Sequence, residues 1–480
     1  MRVDGIYDLL SAKGNNGIAR EPATTMANAT SILAGAARVD ITPPIGVWLS
    51  GFGTRTSPAD GVHDPLYAAA VVVEAGGQKA AIVGCDLIGL DVDLVARVRD
   101  LVSRWTGIDG HHLILNSSHT HSGPATVRRL KIGVMDEDYC DALARKIATA
   151  VKLANDSRRP ADVSFGTENA VVAVNRRMTN EQGATVLGEN PRGPIDPTVY
   201  ALRFDASDGT PLAIVFSYAC HPVVFGALDI SADFIAYARR TIEMALGDPV
   251  VAVFLQGCCG DINPLSGDHR DPESHARELG ATLGAGAVRA AQGATPIAGA
   301  PILGMSDEVH LPLEDLPAVE EAERILNQCH EKLRQAESEE DAGGVQCGKV
   351  IVDWARRVLQ CAGEGPRDRS ELLAVQALRL GDVAIVGTGA ETFIEIGQDI
   401  QEGSCFDKTI VLGYTNGDIG YLPIPDAYPR GDYEVSEAIK YYGTLMWAPE
   451  SAKIVTDACI AMLDRLAGRD ADPTIRKISR

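Results

Sequence analysis

Residues 112–124, HLILNSSHTHSGP, decide how the rest of the chain is read. An apolar run from His112 to Leu115 predicts a buried strand, and Asn116-Ser117-Ser118-His119-Thr120-His121 follows it directly. Histidines at i and i+2 in extended backbone point to one side, so His119 could ligate a metal while His121 faces a bound substrate. The pair would sit at the carboxyl end of a strand, where α/β proteins build their sites. A hydrogen-bonded loop would use the same residues, so the pair needs partners elsewhere.

Working outward, apolar and β-branched runs predict strands at 68–74, 79–85, 112–117, 161–166, 199–204, 211–218, 250–256, 372–379, 382–387 and 408–413. Helical periodicity marks 91–105, 136–154, 232–246, 272–291, 315–337 and 450–467. Alternating strands and helices make the fold α/β. Short turns such as Asp205 to Thr210 require some antiparallel pairing, so the sheets are mixed. The same turns argue against an eight-stranded parallel barrel, the other fold in which a His-x-His pair follows a strand.

Three further strand ends carry chemistry. His221 closes the run Leu212 to Ala219, repeating the placement of His119. Either histidine alone could be a satisfied core residue, but two strand-end imidazoles suit a borderline divalent ion. Val386-Gly387-Thr388-Gly389-Ala390 leads to Glu391 near an expected helix start, where the helix dipole by itself would favour a carboxylate. Tyr414 to Tyr421 follows another strand, and Tyr421 could equally be a half-buried aromatic. Gly257 to Pro264 brings glycines beside Asp261 and Asn263, while Cys258 and Cys259 read as small core residues.

Composition excludes several classes. A net charge of -21 disfavours nucleic acid, whose phosphates are bound by clustered Lys and Arg. An apolar share of 45% with no run long enough to span a bilayer predicts a soluble protein without a membrane partner. Cysteines scattered through apolar runs, and an N-terminus lacking an export pattern, point to the cytoplasm. Residues 1–36 read as a poorly ordered arm and 37–480 as the catalytic unit. A charged helical hairpin is inserted at about 314–362, and its surface is compatible with a homo-oligomer. The pocket walls are expected from loops Met178 to Ile195 and Pro423 to Val435.

Taken in order, the motifs resemble the neutral, non-lysosomal ceramidases through their N-terminal catalytic domain. The likeness runs from ARVDITPPIG at Ala37 through Gly61-Val62-His63-Asp64-Pro65 and the His-Thr-His-Ser-Gly-Pro motif. It continues over Asn175-Arg176, His221-Pro222, Ser231-Ala232-Asp233, Gly260 to Pro264, Glu391, and Asn416 to Tyr433. The resemblance implies an αββα-type layered sandwich of mixed sheets, and a zinc ion (Zn2+) held by His119, His221, Glu391 and Tyr421. It further implies His121 and Arg176 close to the reacting carbonyl, Tyr433 as a further active-site tyrosine, and His63 and Asp261 on the substrate side.

Two departures stand out. Asn263 occupies the place of the serine that performs the attack in ceramidases, and the chain ends where those enzymes continue into an immunoglobulin-like domain. An amide cannot be the nucleophile, so water activated by zinc is expected to attack, with His121 shuttling the proton and Asn263 binding substrate or the oxyanion. Asp261 or Asp233 could orient a ligand histidine. The expected activity is hydrolysis of an amide C–N bond in a small soluble substrate. An ester or lactone would be served by the same chemistry, and a binding protein on a scaffold that lost its nucleophile is the non-enzymatic alternative.

Overall fold

The computed structural model describes residues 32–267, 270–364 and 369–469. Its largest sheet has the order Val251–Gln256, Pro211–Tyr218, Thr198–Ala206, Arg159–Asn169, Ile32–Asp40, Tyr67–Ala75, Gln78–Cys85, Leu113–Ser117. Pairing is parallel at both ends of this order and antiparallel between. A second sheet runs Ile302–Pro312, Ser370–Leu380, Val383–Thr388, Lys408–Leu412, with its last pair parallel. Mixed sheets of this kind match the expected class and are not a parallel barrel.

The two sheets share one core, in which Val71, Ile82 and Val253 of the first meet Leu378, Ile385 and Ile410 of the second. Alternate residues of the large sheet, such as Val72 and Leu115, pack outward on helices Val92–Thr106 and Glu137–Asp156. Helices Phe234–Leu246 and Pro272–Gln292 cover its other end. The outer face of the smaller sheet lies under Ile394–Gly403 and Ser451–Leu466. Period-two burial on strands between amphipathic helices produces these four layers, α-β-β-α.

The large sheet curls until its end strands meet, and this closure positions the site. Asn116 at the end of Leu113–Ser117 accepts from Gln256 N at 2.6 Å and donates to Gly413 O at 2.8 Å. One buried amide thereby ties together the carboxyl ends of three strands, two from one sheet and one from the other. The residues that follow all emerge on the same side.

The sheet starts earlier than its sequence suggests. Ile32 to Ala36, expected within the N-terminal arm, already belong to a strand, with Leu33 opposite Glu74 and Ala36 opposite Val71. Its Ala and Gly residues lack a β-branched signature because helix Glu137–Asp156 lies so close that a side chain on Gly35 would overlap Ala154 O. The rest of the expected arm, residues 1–31, lies outside the described residues. Between the second sheet's first two strands, helices Val319–Ser338 and Ala342–Gly363 form a hairpin, docked through Trp354 Nε1 donating to Thr444 O at 2.7 Å. Among the described residues no helix is long and apolar enough to cross a membrane.

Candidate metal centre

His119 and His221 reach a common point from opposite ends of the curled sheet. His119 Nδ1 donates to Ile88 O at 2.7 Å and His221 Nδ1 to Ile262 O at 3.0 Å. A carbonyl only accepts, so both rings carry hydrogen on Nδ1 and, when neutral, turn the Nε2 lone pair inward. The two Nε2 atoms lie 3.2 and 3.3 Å from Glu391 Oε2. His121 Nε2 stands 3.2 Å from His119 Nε2, and its buried Nδ1 meets no hydrogen-bond partner among the described residues.

The expected extended geometry of the His119–His121 segment is corrected. His119 adopts φ 63°, in the left-handed region, so a turn and not a β-pleat brings i and i+2 to one place. Tyr414 and Asn416, on the loop facing it, also have positive φ. Backbone strain of this kind persists where surrounding contacts over-determine a functional geometry. Gly51 completes the fit, since any side chain there would overlap the His121 ring.

Glu391 pairs with Tyr421 in a two-residue parallel ladder, which sets these two side chains next to each other. Helix Ile394–Gly403 begins three residues later, so the carboxylate faces the imidazoles and does not cap the helix. Tyr442 Oη donates to Glu391 Oε1 at 2.6 Å, and Tyr414 Oη to Oε2 at 3.3 Å. Tyr421 Oη accepts from Arg176 Nη2 at 3.0 Å. Around a tetrahedral ion with bonds of about 2.0–2.1 Å, neighbouring donors stand roughly 3.3 Å apart. The imidazole-to-carboxylate edges fit that figure. His121 belongs to the same group, since the donor nitrogens of His119, His121 and His221 all lie within 4.8 Å of one another.

Electrostatics follow from burial and from these partners. Burial would raise the Glu391 carboxyl, but His119 and His221 outweigh it and hold it well below the usual range. His119 is depressed by burial and lifted, on balance, by Glu391. Burial, then Arg176, takes His221 down to about 4. Inward-facing lone pairs beside a carboxylate repel one another unless a cation sits between them, so the donor set suits a divalent metal.

Arg176 comes from hairpin Ala173–Thr179/Thr185–Asn190, whose polar alternation hid it among the predicted elements. Its Nε donates to Glu434 Oε1 at 2.8 Å and its Nη1 to Asn263 Oδ1 at 3.2 Å. Glu434 also accepts from Arg177 Nη1 at 2.5 Å and is fully buried. Tyr433 packs its ring on Tyr421, 5.9 Å between centroids, and under the Arg176 guanidinium.

Other expectations are corrected. The imidazoles of His119 and His221 are oriented by main-chain carbonyls, not by Asp261 or Asp233. Asp233 accepts from Val224, Phe225 and Phe234 N at the start of its helix. Asp261 accepts from Ile394 N at 2.9 Å and Asn175 Nδ2 at 2.6 Å, capping helix Ile394–Gly403 from a distant loop. It lines a separate cleft with Asn175 and Arg177, and loop residues Asn190 and Pro194 wall that cleft. The cleft at the histidine cluster takes Tyr433 from the expected loop Pro423 to Val435, nothing from Met178 to Ile195, and its other walls from Gly51, Leu130, Ile132 and Tyr441. His63 is exposed, with Tyr237 Oη 3.1 Å from its Nε2 and Phe225 against its ring, so it is not brought onto the histidine cluster. Cys258 and Cys259 are buried thiols whose pKa burial raises. Tyr442, Glu434 and Gly51 were not singled out in the sequence, because nothing local distinguishes them.

Residues 32–299 match the family described as neutral/alkaline non-lysosomal ceramidase, N-terminal. Neutral ceramidase from Pseudomonas aeruginosa superposes with a TM-score of 0.68 at 19% identity, over 92% of this chain and 76% of that one. A ceramidase complexed with C2 gives 0.69 at 18% identity with the same coverage. At these identities the structural likeness is one of fold.

Proposed function

Because the chain belongs to the neutral/alkaline non-lysosomal ceramidase family, we propose that it is a zinc-dependent hydrolase cleaving the C–N bond of a small soluble amide. One observation carries the reading: the inward nitrogens of His119 and His221 lie 3.2 and 3.3 Å from one and the same oxygen of Glu391. With the Tyr421 phenol they would hold the ion. When bound, zinc polarises a carbonyl oxygen and brings the pKa of water toward ~7.

The chain's own residues supply the rest. His121, facing the cluster through Nε2, accepts the proton of the attacking water and returns it to the departing amine. Arg176, held by Glu434, aims Nη1 and Nη2 at the side of the cluster where an oxyanion would form. Asn263 Oδ1 accepts from Arg176, and its amide group orients the substrate. Tyr433 closes that side against solvent. All ten cysteines are unpaired, which supports a reducing, cytoplasmic setting.

The test is metal analysis of purified protein, then chelation and add-back while release of amine from simple N-acyl amides is followed. Stoichiometric zinc, with turnover lost on chelation and restored by zinc, is the expected result. Full turnover in metal-free protein would rule the assignment out.

A further inference from the structure

The histidines of the cluster are held in different ways. His119 and His221 each donate through Nδ1 to a main-chain carbonyl, and that bond fixes the rotation of the ring. His121 has no such bond, because its buried Nδ1 meets no hydrogen-bond partner among the described residues. Its ring is confined by shape instead. Gly51 lies so near that a Cβ there would stand 2.4 Å from His121 Cγ, and Phe52 sets its ring edge-on at 5.1 Å between centroids. Whatever holds the loop of Gly51 and Phe52 against the main chain of His121 therefore sets the imidazole.

Arg55 makes that connection. Its Nη1 donates to Ser50 O at 2.8 Å and to His121 O at 2.6 Å, so one nitrogen joins the residue before Gly51 to the histidine itself. Nη2 donates to Ser122 Oγ at 3.4 Å, and Nε to Ala227 O at 3.2 Å on the loop that follows His221. The guanidinium carbon also lies 4.9 Å from the centroid of the Phe52 ring, a cation–π contact that holds this ring where it meets His121. Two more bonds close the assembly: Ser122 Oγ donates to Phe225 O at 3.0 Å, and His121 N to Pro222 O at 3.2 Å.

A buried arginine is a costly brace. Among the described residues no carboxylate lies at ion-pair distance from Arg55, and burial pushes its pKa down to about 10, which leaves it charged at neutral pH. A buried charge without a counter-charge is destabilising. A guanidinium is nevertheless the one side chain with five N–H groups in a single plane, enough to reach acceptors on separate loops at once. The charge is tolerated for the geometry it provides.

We infer that Arg55 is the positioning residue of His121: it locks Gly51 and Phe52 against the imidazole and so keeps Nε2 aimed at the cluster. Its part in turnover rests on the hydrolase reading above, in which His121 carries the proton; the placement of the ring does not. His119 and His221, with carbonyl bonds of their own, stay in place without it.

Crystal structures of the full-length Arg55→Met and Arg55→Lys variants test the placement. In Arg55→Met the His121 ring is expected to leave its seat against Gly51, while His119 and His221 keep their bonds to Ile88 O and Ile262 O. Arg55→Lys, with one nitrogen where the fork has three, should show the same displacement to a smaller degree, and it carries the test if the methionine variant does not fold. An imidazole unmoved in both, or a displacement of all three histidines together, would overturn the inference. Kinetics on a simple N-acyl amide give the second readout. Arg55→Met should lower kcat about 100-fold with little change in KM, and should add nothing to the loss in a His121→Ala background. A penalty that persists in that background would show Arg55 acting by another route and overturn the inference as well. A wild type that hydrolyses no amide would sink the proposed activity alone, since the crystal structures still decide what Arg55 holds.

Discussion

Glu391 and Asp261 are two carboxyl groups buried to the same degree, 2% and 1% exposed, on neighbouring loops of one structure. Burial pushes both toward the neutral form, yet they end on opposite sides of neutrality. Glu391 faces two imidazoles and stays well below the usual carboxylate range. Asp261 has Glu395 as its nearest charged neighbour and is pushed up to about 8. The difference lies in what each carboxyl meets: the imidazoles beside Glu391 outweigh its burial, whereas the Ile394 N–H and the Asn175 amide, which favour the Asp261 anion, are outweighed by burial and Glu395.

The sharpest way to break the comparison is Glu391→Gln. Removing the anion leaves the imidazoles without a charge partner, and bound zinc should disappear together with turnover. A loss of several kcal/mol of transition-state stabilisation is roughly a thousandfold in rate. Metal content and kcat on the same preparation are the measurements; retained zinc would move Glu391 out of the ligand set.

Glu434→Gln probes the counter-charge of Arg176. Breaking a buried pair from one side destabilises by about 3–5 kcal/mol, so urea unfolding should show a loss of that order. A change within error would mean that Tyr421 and Asn263 suffice to hold the guanidinium.

Tyr442→Phe removes only the hydroxyl that fixes Glu391 Oε1. Loss of an outer partner of a ligand costs about 10–100-fold in metal affinity. Competition with a chelator reads this, and the global fold should be preserved because the ring remains packed.

The smallest effect is expected at Asp261. At about pH 3.5 its carboxyl holds the proton in the folded chain and mostly in the unfolded one, so there Asp261→Asn should change stability by only about 1 kcal/mol. In wild type the folded pKa of about 8 lies above the unfolded value of about 3.9. The group's contribution is therefore complete below about pH 3.9 and is lost as pH rises to about 8. Denaturation series across that window should slope less in the Asn variant; identical slopes would show Asp261 to be ionised throughout.

Much of this was legible in the residues. His119, His221, Glu391 and Tyr421 each follow an apolar strand, and that repeated placement marked them one by one. Arg176 and Asn263 were found through ordered motifs, although their own strands are too short or too polar to be read. Tyr442 and Glu434 were invisible, since a tyrosine in a short helix and a glutamate beside Tyr433 carry no periodic or motif signal. The backbone of His119 was misread because alternation predicts direction only in extended chain, and the segment leaves that region at φ 63°.

The amino-acid order determined the α/β layering, because burial periodicity is a local property that each segment carries whatever it packs against. It also determined which side chains stand at strand ends. Only the tertiary structure decided that those ends meet, since curling of the large sheet and the Asn116 tie depend on contacts between segments hundreds of positions apart. The division between a charged Glu391 and a neutral Asp261 was decided there too, for the charge of a buried group is set by the neighbours that folding brings to it.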